Sequence, residues 1–356
     1  MRILIAGDWH SELHEEAVHG AFRQLGHEAL KFSWHQYFKP HGAWGRAGSL
    51  LLRAQNKYLC GPAIDRLNGD LIERVVAAQP ELLFIYRGSH IYPETLRTIR
   101  RVSPSVILAG YNNDDPFSAH YPGWMWRHFL AGIPEYDIVF AYRAKNLLEF
   151  EAAGARRVEL LRSWYMPERN HPVALSASDM IRYGCDVVFA GHYENDGRLE
   201  ALEAIVERGW RLRLYGPDYG WHPALRRSRS LRGIIPLSTV WGEEYNKALA
   251  GAKIALCFFS KLNRDTYTRR CFEIVGTGTF LLSEFSEDVA GLFSPGIEAD
   301  CFASRKELLD KLDVYLNNDE HRYRVASAGR RRLMADGHDA VSRMRYVLSC
   351  LGGLKR

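Results

Sequence analysis

The chain has 356 residues and a mass of 40.8 kDa, about twice the size of one ordinary domain, so two domains of similar size are expected. With 47% hydrophobic and 25% charged residues it has a globular composition, and its apolar runs are far shorter than the ~20 residues that cross a bilayer. The net charge of +5 is small for this length and does not indicate a nucleic-acid partner, because phosphate-tracking proteins usually concentrate positive charge on one face.

Short apolar runs of the β type alternate with helical patterns over the first half of the chain. The predicted strands are 2–6, 29–34, 82–86, 106–109 and 137–141. The predicted helices are 15–25, 65–78, 93–102 and 144–153. This alternation indicates parallel strands with crossover helices, a doubly wound α/β domain. The stretch 167–178 contains two prolines and no periodicity, which predicts a linker.

A second series of the same kind follows. Its predicted strands are 186–190, 211–215, 253–259 and 279–283, and its predicted helices are 197–208, 242–250 and one that starts at 268. Three helical stretches come last, at 304–316, 319–335 and 339–351. We therefore predict two Rossmann-like domains at 1–170 and 171–338, and a C-terminal helix within 339–356 that packs back on the first domain. Ligands are expected where the strands end, because open parallel sheets bind them there.

Several function classes are disfavoured by missing motifs. No G-x-G-x-x-G follows the first strand of either series, which argues against a dinucleotide enzyme. The N-terminal apolar run is too short for a signal-peptide core and Asp8 follows it directly, which predicts a cytoplasmic protein. The cysteines form no C-x-x-C pair and are expected to be buried free thiols. They are Cys60, Cys185, Cys257, Cys271, Cys301 and Cys350.

Four short motifs occur in an order that is typical of one family. They are the run 21–28 (AFRQLGHE), the turn 113–116 (NDDP), the run 270–274 (RCFEI) with two glycines behind it, and His338 followed by Arg343. Together they resemble the CgeB-like (spore maturation protein) branch of group 1 glycosyltransferases. This resemblance implies the GT-B architecture, in which two facing Rossmann-like domains enclose a cleft.

The resemblance also implies an activity. A glycosyltransferase of this kind moves a hexose-like sugar from a nucleotide-diphospho-sugar to an acceptor hydroxyl, with retention of configuration, without a metal and without a further cofactor. The acceptor, whether saccharide, protein or lipid-linked, is not identified by the sequence. Two alternatives stay open: a nucleotide-sugar epimerase of the same architecture, and a non-catalytic module that binds a sugar nucleotide or another partner.

The family pattern assigns the donor sugar and ribose to residues around Glu273. Glu273 matches a glutamate that hydrogen-bonds the donor ribose, a task for an ionised acceptor group. Asp265 stands where many members carry a second glutamate, and its side chain is one methylene shorter. Gly276 and Gly278, the two glycines behind the run 270–274, belong to the same part of the family pattern. In the plainer interpretation Glu273 is an acid near a helix N-terminus and Asp265 a solvated loop residue.

Positive charge and glycine turns indicate where the diphosphate binds, since its charge must be neutralised as it departs. Gly191 follows a strand and Arg198 begins the next helix, where a guanidinium could bind phosphate oxygens. Arg269 and Arg270 are alternatives, of which only one can easily face the site because neighbouring helix positions lie about 100° apart. Gly7 would permit close approach in the first domain. The plainer interpretations are a surface ion pair for Arg198 and a tight turn for Gly7.

Two further sets of residues complete the expected site. The resemblance places the nucleobase against backbone and apolar side chains at Tyr215, Gly216, Ile235 and Leu237. The candidates for contact with the acceptor, or for a catalytic base, are His90, Asp114 and Asp115, which follow strands of the first domain. The acidic pair is also ordinary turn and helix-cap chemistry.

The window of residues 29–64 has no acidic residue. Its basic residues are Lys31, Lys39, Arg46, Arg53 and Lys57, interleaved with Trp34, Tyr37, Phe38, Trp44 and Tyr58. Because each basic group near anionic lipid contributes roughly 1 kcal/mol, the window predicts peripheral contact with the inner membrane, or a groove for an anionic acceptor. The plainer interpretation is a loop and helix whose aromatic residues are core.

Overall fold

The computed structural model describes residues 1–39 and 46–354, with only the backbone of residues 46 and 47, and the chain divides into two compact units. The first domain consists of Met1–Ser163 together with the residues from Ala340 onward, and the second domain of Trp164–Asp339. The first domain thus ends at Ser163, slightly before the boundary expected at residue 170.

The first domain is built on a six-stranded parallel sheet. Its strands are β1 (Arg2–Gly7), β2 (Glu28–Ser33), β3 (Leu82–Tyr86), β4 (Ile107–Asn112), β5 (Ile138–Ala141) and β6 (Val158–Leu160), in the order β2-β1-β3-β4-β5-β6. The central strands are almost wholly buried, as expected when crossover helices cover both faces of a parallel sheet. Strand β6 was not predicted, because it is only three residues long and half-buried.

Helices connect these strands. They are α1 (Glu15–Gln24), α2 (Arg46–Tyr58), α3 (Pro62–Ala78), α4 (Pro93–Val102), α5 (Arg127–Gly132) and α6 (Asn146–Ala152). Helices α3 and α4 each begin with proline, whose fixed φ suits the first helical position. One apolar core contains Leu67, Leu71, Val75, Leu96 and Ile99 from these two helices, together with inward residues of the sheet.

The second domain contains a five-stranded parallel sheet. Its strands are β7 (Cys185–Ala190), β8 (Leu212–Tyr215), β9 (Ala252–Cys257), β10 (Phe280–Glu284) and β11 (Asp300–Phe302), in the order β11-β10-β9-β7-β8. Two sheets of this kind confirm the predicted α/β class with Rossmann-like domains. Strand β11 was missed, since three residues starting with an acid give no strand pattern.

The helices of the second domain are α7 (Ala177–Tyr183), α8 (Arg198–Glu207), α9 (Asp218–Arg227), α10 (Glu243–Ala250), α11 (Arg269–Gly276), α12 (Glu287–Leu292), α13 (Arg305–Leu316) and α14 (Asp319–Ala335). Helix α7 begins inside the stretch predicted as a linker. The Ser176 hydroxyl accepts from the Asp179 amide, and the Asp179 carboxylate accepts from the Ser176 amide. The polar residues there form a capping box rather than a flexible connection.

The last helix, α15 (Ala340–Cys350), packs against α1 in the first domain. Within residues 1–39 and 46–354, no helix is long and apolar enough to cross a membrane. All six cysteines are free; five are buried as predicted, whereas Cys60, in the connection between α2 and α3, is exposed.

Candidate active site

Two glycines, Gly191 and Gly216, directly follow β7 and β8 at the carboxyl edge of the second sheet. The Gly191 amide donates to the Tyr215 carbonyl oxygen at 2.9 Å, and the Trp221 indole Nε1 donates to the Gly191 carbonyl oxygen at 2.8 Å. A Cβ on Gly191 would lie 2.6 Å from Nη1 of Arg270, and a Cβ on Gly216 would overlap the Gly191 carbonyl oxygen. Only glycine fits at position 216, and a side chain at position 191 would displace the Arg270 guanidinium, so bare backbone meets a guanidinium here.

Arg270 supplies the positive charge at this edge. It lies in the first turn of α11, where its amide is capped by the Thr268 hydroxyl at 3.2 Å. Its Nη1 donates to the Ala190 carbonyl oxygen at 3.4 Å, while its Nε is buried and has no hydrogen-bond partner among the described residues. Burial lowers the pKa of Arg270, but the nearby Cys257, Tyr245 and Glu273 outweigh it, and the net shift is upward. The guanidinium is therefore a fixed cation with unused donor capacity.

Glu273 lies one helical turn after Arg270. Its side chain is 7% exposed, and its Oε2 accepts from the hydroxyl of Tyr245 on α10 at 3.2 Å. Burial, followed by the charge of Glu273, raises the pKa of Tyr245, so this hydroxyl stays protonated and donates. In the part of the chain that the structure describes, Tyr245 is the one hydrogen-bond partner of the carboxylate. Glu273 can accordingly accept further hydrogen bonds from ligand hydroxyl groups.

The residues expected to hold the nucleobase come together beside Gly191. The Gly216 amide donates to the Ser238 carbonyl oxygen at 3.1 Å, which ties the segment 235–238 to the end of β8. Ile235 and Leu237 are partly buried and pack against the core of the second domain, and Tyr215 is buried at the strand end. The segment 235–238 thus places backbone and apolar side chains next to Gly191 and Gly216.

Arg198 has a different environment from the one expected of a phosphate ligand. Its side chain is 2% exposed, and its Nε and Nη2 donate to the two carboxylate oxygens of Asp196 at 2.8 and 2.6 Å. Nη1 donates to the His192 carbonyl oxygen and Nη2 also reaches that of Phe259. Asp196 neutralises the guanidinium and backbone oxygens take most of its remaining donors. Arg198 therefore fixes the 191–197 loop, and a bidentate hold on phosphate would require it to leave Asp196.

Of the other donor candidates, Asp265 and Arg269 lie near the start of α11 and are half-buried. The Asp265 amide donates to the Ser260 carbonyl oxygen at 2.8 Å, within the loop that precedes the helix. Gly276 and Gly278 lie at the far end of α11, where the chain turns into β10. A Cβ on Gly276 would lie 3.1 Å from the Asn170 carbonyl oxygen. These two glycines serve packing and a turn at the opposite edge of the sheet, away from Arg270.

Comparisons with known proteins show one family match and several similar folds. Residues 198–349 match the family model described as glycosyl transferase-like, a segment that includes Arg270 and Glu273. The whole chain is similar in fold to HepE from Anabaena in complex with UDP and glucose (TM-score 0.71, 12% identity, 99% of this chain and 100% of that one). It is also similar to sucrose-phosphate synthase from Thermosynechococcus elongatus (TM-score 0.72, 10% identity, 99% of both chains). A third is a trehalose-6-phosphate synthase studied for glycosyl transfer with retention (TM-score 0.67, 13% identity, 99% of both chains). A search of curated protein sequences found no match.

The chain has the GT-B fold.

In the first domain, His90 is a packed residue. Its ring stacks on Trp34 with centroids 5.2 Å apart and lies 5.4 Å from the ring of Phe38. Both ring nitrogens have partners, the Ser89 hydroxyl at 3.0 Å and the Asn56 side-chain oxygen at 2.8 Å. Burial, and then the charge of Arg87, lower the pKa of His90 to about 3. A histidine so buried and so weakly basic is a poor general base, which contradicts its expected role.

This pKa makes the stability of the first domain depend on pH. The folded His90 stays neutral down to about pH 3, whereas the unfolded residue takes up a proton below about 6.5. The contribution of His90 to the free energy of unfolding is therefore fully present above pH 6.5 and is lost as the pH drops towards 3. Between pH 6.5 and pH 5 the free energy of unfolding falls by about 2 kcal/mol because of this residue. In native-state hydrogen exchange of β3 amides at pH 7 and 5, His90→Gln should remove this part of the pH dependence. An unchanged dependence in the variant would assign it to other groups.

The acidic pair after β4 is also held by neighbouring residues. Asp114 lies 2.6 Å from Nη2 of Arg87. Asp115 is completely buried, and its Oδ1 accepts from the Phe117 amide and from the side chain of Asn146 at 3.1 and 3.0 Å. Because it is completely buried, Asp115 cannot reach an acceptor hydroxyl in this position. Its contact with the Phe117 amide is that of a turn, and its contact with Asn146 joins the turn to α6.

Gly7 likewise serves a local contact. A Cβ there would overlap the carboxyl group of Glu15, which is 2% exposed and accepts from the Asp8 amide at 2.9 Å. Burial raises the pKa of Glu15. A diphosphate beside Gly7 would meet this acid, which disfavours the expected phosphate contact.

Two features of the candidate site were not found from the sequence. Tyr245 carries no motif, and only the fold brings it to Glu273. His35 lies with Nδ1 3.4 Å from Oδ1 of Asp8, and both side chains are partly exposed after the ends of β2 and β1. The position of His35 directly after a predicted strand was a usable signal, because polar residues at strand ends cluster on one edge of a parallel sheet.

Proposed function

We propose that this protein is a glycosyltransferase, which moves a hexose-like sugar from a nucleotide-diphospho-sugar to an acceptor hydroxyl. The observation that carries the proposal is the pair Arg270 and Glu273, one turn apart on α11 beside the backbone of Gly191. It combines a fixed cation, a carboxylate with accepting capacity and a close approach for phosphate. HepE, with UDP and glucose bound, shares the fold, which supports a nucleotide-sugar donor.

Each group would act on one part of the donor. Arg270 would bind the diphosphate and stabilise the charge that develops on the leaving phosphate. Glu273, held by Tyr245, would accept hydrogen bonds from ribose hydroxyl groups, and the segment 235–238 with Tyr215 and Gly216 would hold the base. In the first domain, the pair of His35 and Asp8 would hydrogen-bond the acceptor. Asp265 and Arg269 remain candidates for the sugar and the phosphate at the start of α11.

We further propose retention of the anomeric configuration and independence from divalent metal. In this scheme the leaving phosphate assists attack from the same face, so no protein nucleophile is needed, and Arg270 supplies the positive charge. The motif order supports a place in the CgeB-like branch, and the study of retention in the similar trehalose-6-phosphate synthase supports the stereochemistry. A lipid-linked acceptor would bring the first domain to the inner membrane.

Nucleoside diphosphates are expected to stabilise the protein in EDTA. A ligand at about 100 times its Kd contributes about 2.7 kcal/mol to the folded state, which raises the melting temperature by a few degrees. The measurement is a thermal melt with uridine, guanosine, thymidine, cytidine and adenosine diphosphates, with the matching nucleosides as controls. If none of the five shifts the melt, with or without magnesium, the donor assignment is wrong. A shift that needs magnesium would contradict metal independence alone.

A further inference from the structure

We propose that the first domain binds the surface of an anionic membrane through one exposed face of α2 and the aromatic ring beside its end. This surface, called the α2 patch below, consists of Leu50, Leu51, Tyr58 and Trp124 with the cations Arg53 and Lys57. The proposal does not depend on the donor assignment.

The structure divides the basic window 29–64 into two parts. In the first part Trp34 is buried, the Tyr37 hydroxyl donates to Asp70 at 2.8 Å, and Lys31 pairs with Glu16 at 2.7 Å. These side chains are structural, as the plainer interpretation expected. Trp44 lies outside the described residues, as does the side chain of Arg46. The membrane expectation therefore concerns α2.

The apolar side chains of α2 differ in exposure. Leu52 is partly buried, whereas Leu50 and Leu51 are 64% and 57% exposed. Leu50, Ala54 and Tyr58 are four residues apart and so share one face of the helix. An apolar stripe of this kind on a surface helix marks an interaction site, since its exposure to water is unfavourable.

Aromatic rings continue the stripe at the end of the helix. Tyr58 is 47% exposed and its ring lies 5.4 Å from that of Trp124. The Arg127 guanidinium donates to the Tyr58 carbonyl oxygen at 2.8 Å, which holds the loop with Trp124 against α2. Tyrosine and tryptophan favour the membrane interface because one end of each ring is apolar and the other polar.

The α2 patch is positively charged, and this charge favours an anionic membrane over a second copy of the chain. Arg53, Lys57 and Arg127 are exposed around the apolar stripe, and Lys57 Nζ lies 5.3 Å from the Tyr58 ring. The first acid along the chain after α2 is Asp65, which accepts from the Tyr92 hydroxyl. Two copies of the patch would bring like charges together, whereas anionic lipid headgroups would neutralise them while the leucines enter the interface.

Flotation of the full chain with phosphatidylcholine vesicles, with and without 30% phosphatidylglycerol, tests the proposal. We expect binding to the anionic vesicles only, and more strongly at low ionic strength. Leu50→Ser with Leu51→Ser should abolish binding, and Arg53→Gln with Lys57→Gln should weaken it about 30-fold, equivalent to about 1 kcal/mol for each charge. Leu148→Ser with Ile181→Ser, and Arg305→Gln with Lys306→Gln, are matched exposed controls that should bind normally.

Melting temperatures of all variants should stay close to that of the parent chain, because every replaced side chain is exposed. The proposal is overturned if the parent chain binds neither vesicle, if it binds both equally, or if the control pairs lose as much binding as the patch variants. It is also overturned if the parent chain is a dimer in analytical ultracentrifugation and the two leucine replacements make it a monomer. That result would make the patch a contact between two copies.

Discussion

Replacing Arg270 by alanine is expected to weaken the binding of nucleoside diphosphates by more than 100-fold. A guanidinium that donates two charge-assisted hydrogen bonds to the diphosphate contributes about 3 kcal/mol, at the low end of 1.5–3 kcal/mol for each bond. The side chain lies next to the Gly191 backbone and keeps a buried, unpartnered Nε within the described structure. Calorimetric titration with the diphosphate, the monophosphate and the nucleoside measures the effect, which should be absent for the nucleoside.

The Arg198→Ala variant should be compared with Arg270→Ala, because the two arginines are assigned different roles. Because Arg198→Ala breaks a buried ion pair with Asp196, it is expected to lower the free energy of unfolding by about 3–5 kcal/mol in the absence of any ligand. Arg270→Ala should instead have its main effect on ligand affinity. If Arg198→Ala removes diphosphate binding in a protein of normal stability while Arg270→Ala does not, the two roles are exchanged and our assignment is wrong.

Replacing Glu273 by glutamine is expected to weaken donor binding by about 10-fold to 150-fold. The loss of charge from a carboxylate that accepts hydroxyl protons costs about 1.5–3 kcal/mol. Since glutamine has the same shape and can still accept from Tyr245, the fold should be kept. The measurement is the affinity for the diphosphate and for its 2′,3′-dideoxy analogue, which lacks the ribose hydroxyls. The variant should lose the preference for the natural ribose.

Glu287→Gln, an exposed glutamate in the first turn of α12, is the matched control and should bind the donor normally. Tyr245→Phe removes only the hydrogen bond to Oε2 and should give a smaller loss than Glu273→Gln. Equal affinities of the parent chain and Glu273→Gln for both nucleotides, with both proteins folded, would exclude ribose binding by this residue.

The central strands were predictable because strands with both faces covered are continuous apolar runs. Elements with other physical origins were not. Helix α7 starts from a polar capping box, α9 contains Pro223, and β11 has only three residues. In each case local chemistry or tertiary contacts outweighed the sequence pattern.

The candidate site was predictable where backbone geometry dictates the residue type. Gly216 must be glycine, Gly191 leaves room for the Arg270 guanidinium, and Glu273 follows Arg270 at a spacing that places both on one helix face. Environments made by distant residues were not predictable. Trp34, Asn56 and Phe38 together bury His90, and Asp196 takes the guanidinium of Arg198. Burial and pairing decide whether such groups can act on a ligand, and both depend on the complete fold.

The most direct test of the account is incubation of the protein with a panel of nucleotide-diphospho-sugars in EDTA, first alone and then with saccharide and lipid-linked acceptors. We predict that one donor is consumed with release of its nucleoside diphosphate, that an acceptor accelerates this release, and that the sugar is recovered on the acceptor with its anomeric configuration retained. Arg270→Ala and Glu273→Gln should lack the reaction under the same conditions. Formation of an epimerised sugar without any acceptor, or consumption of no donor by a protein that binds nucleoside diphosphates, would contradict the account.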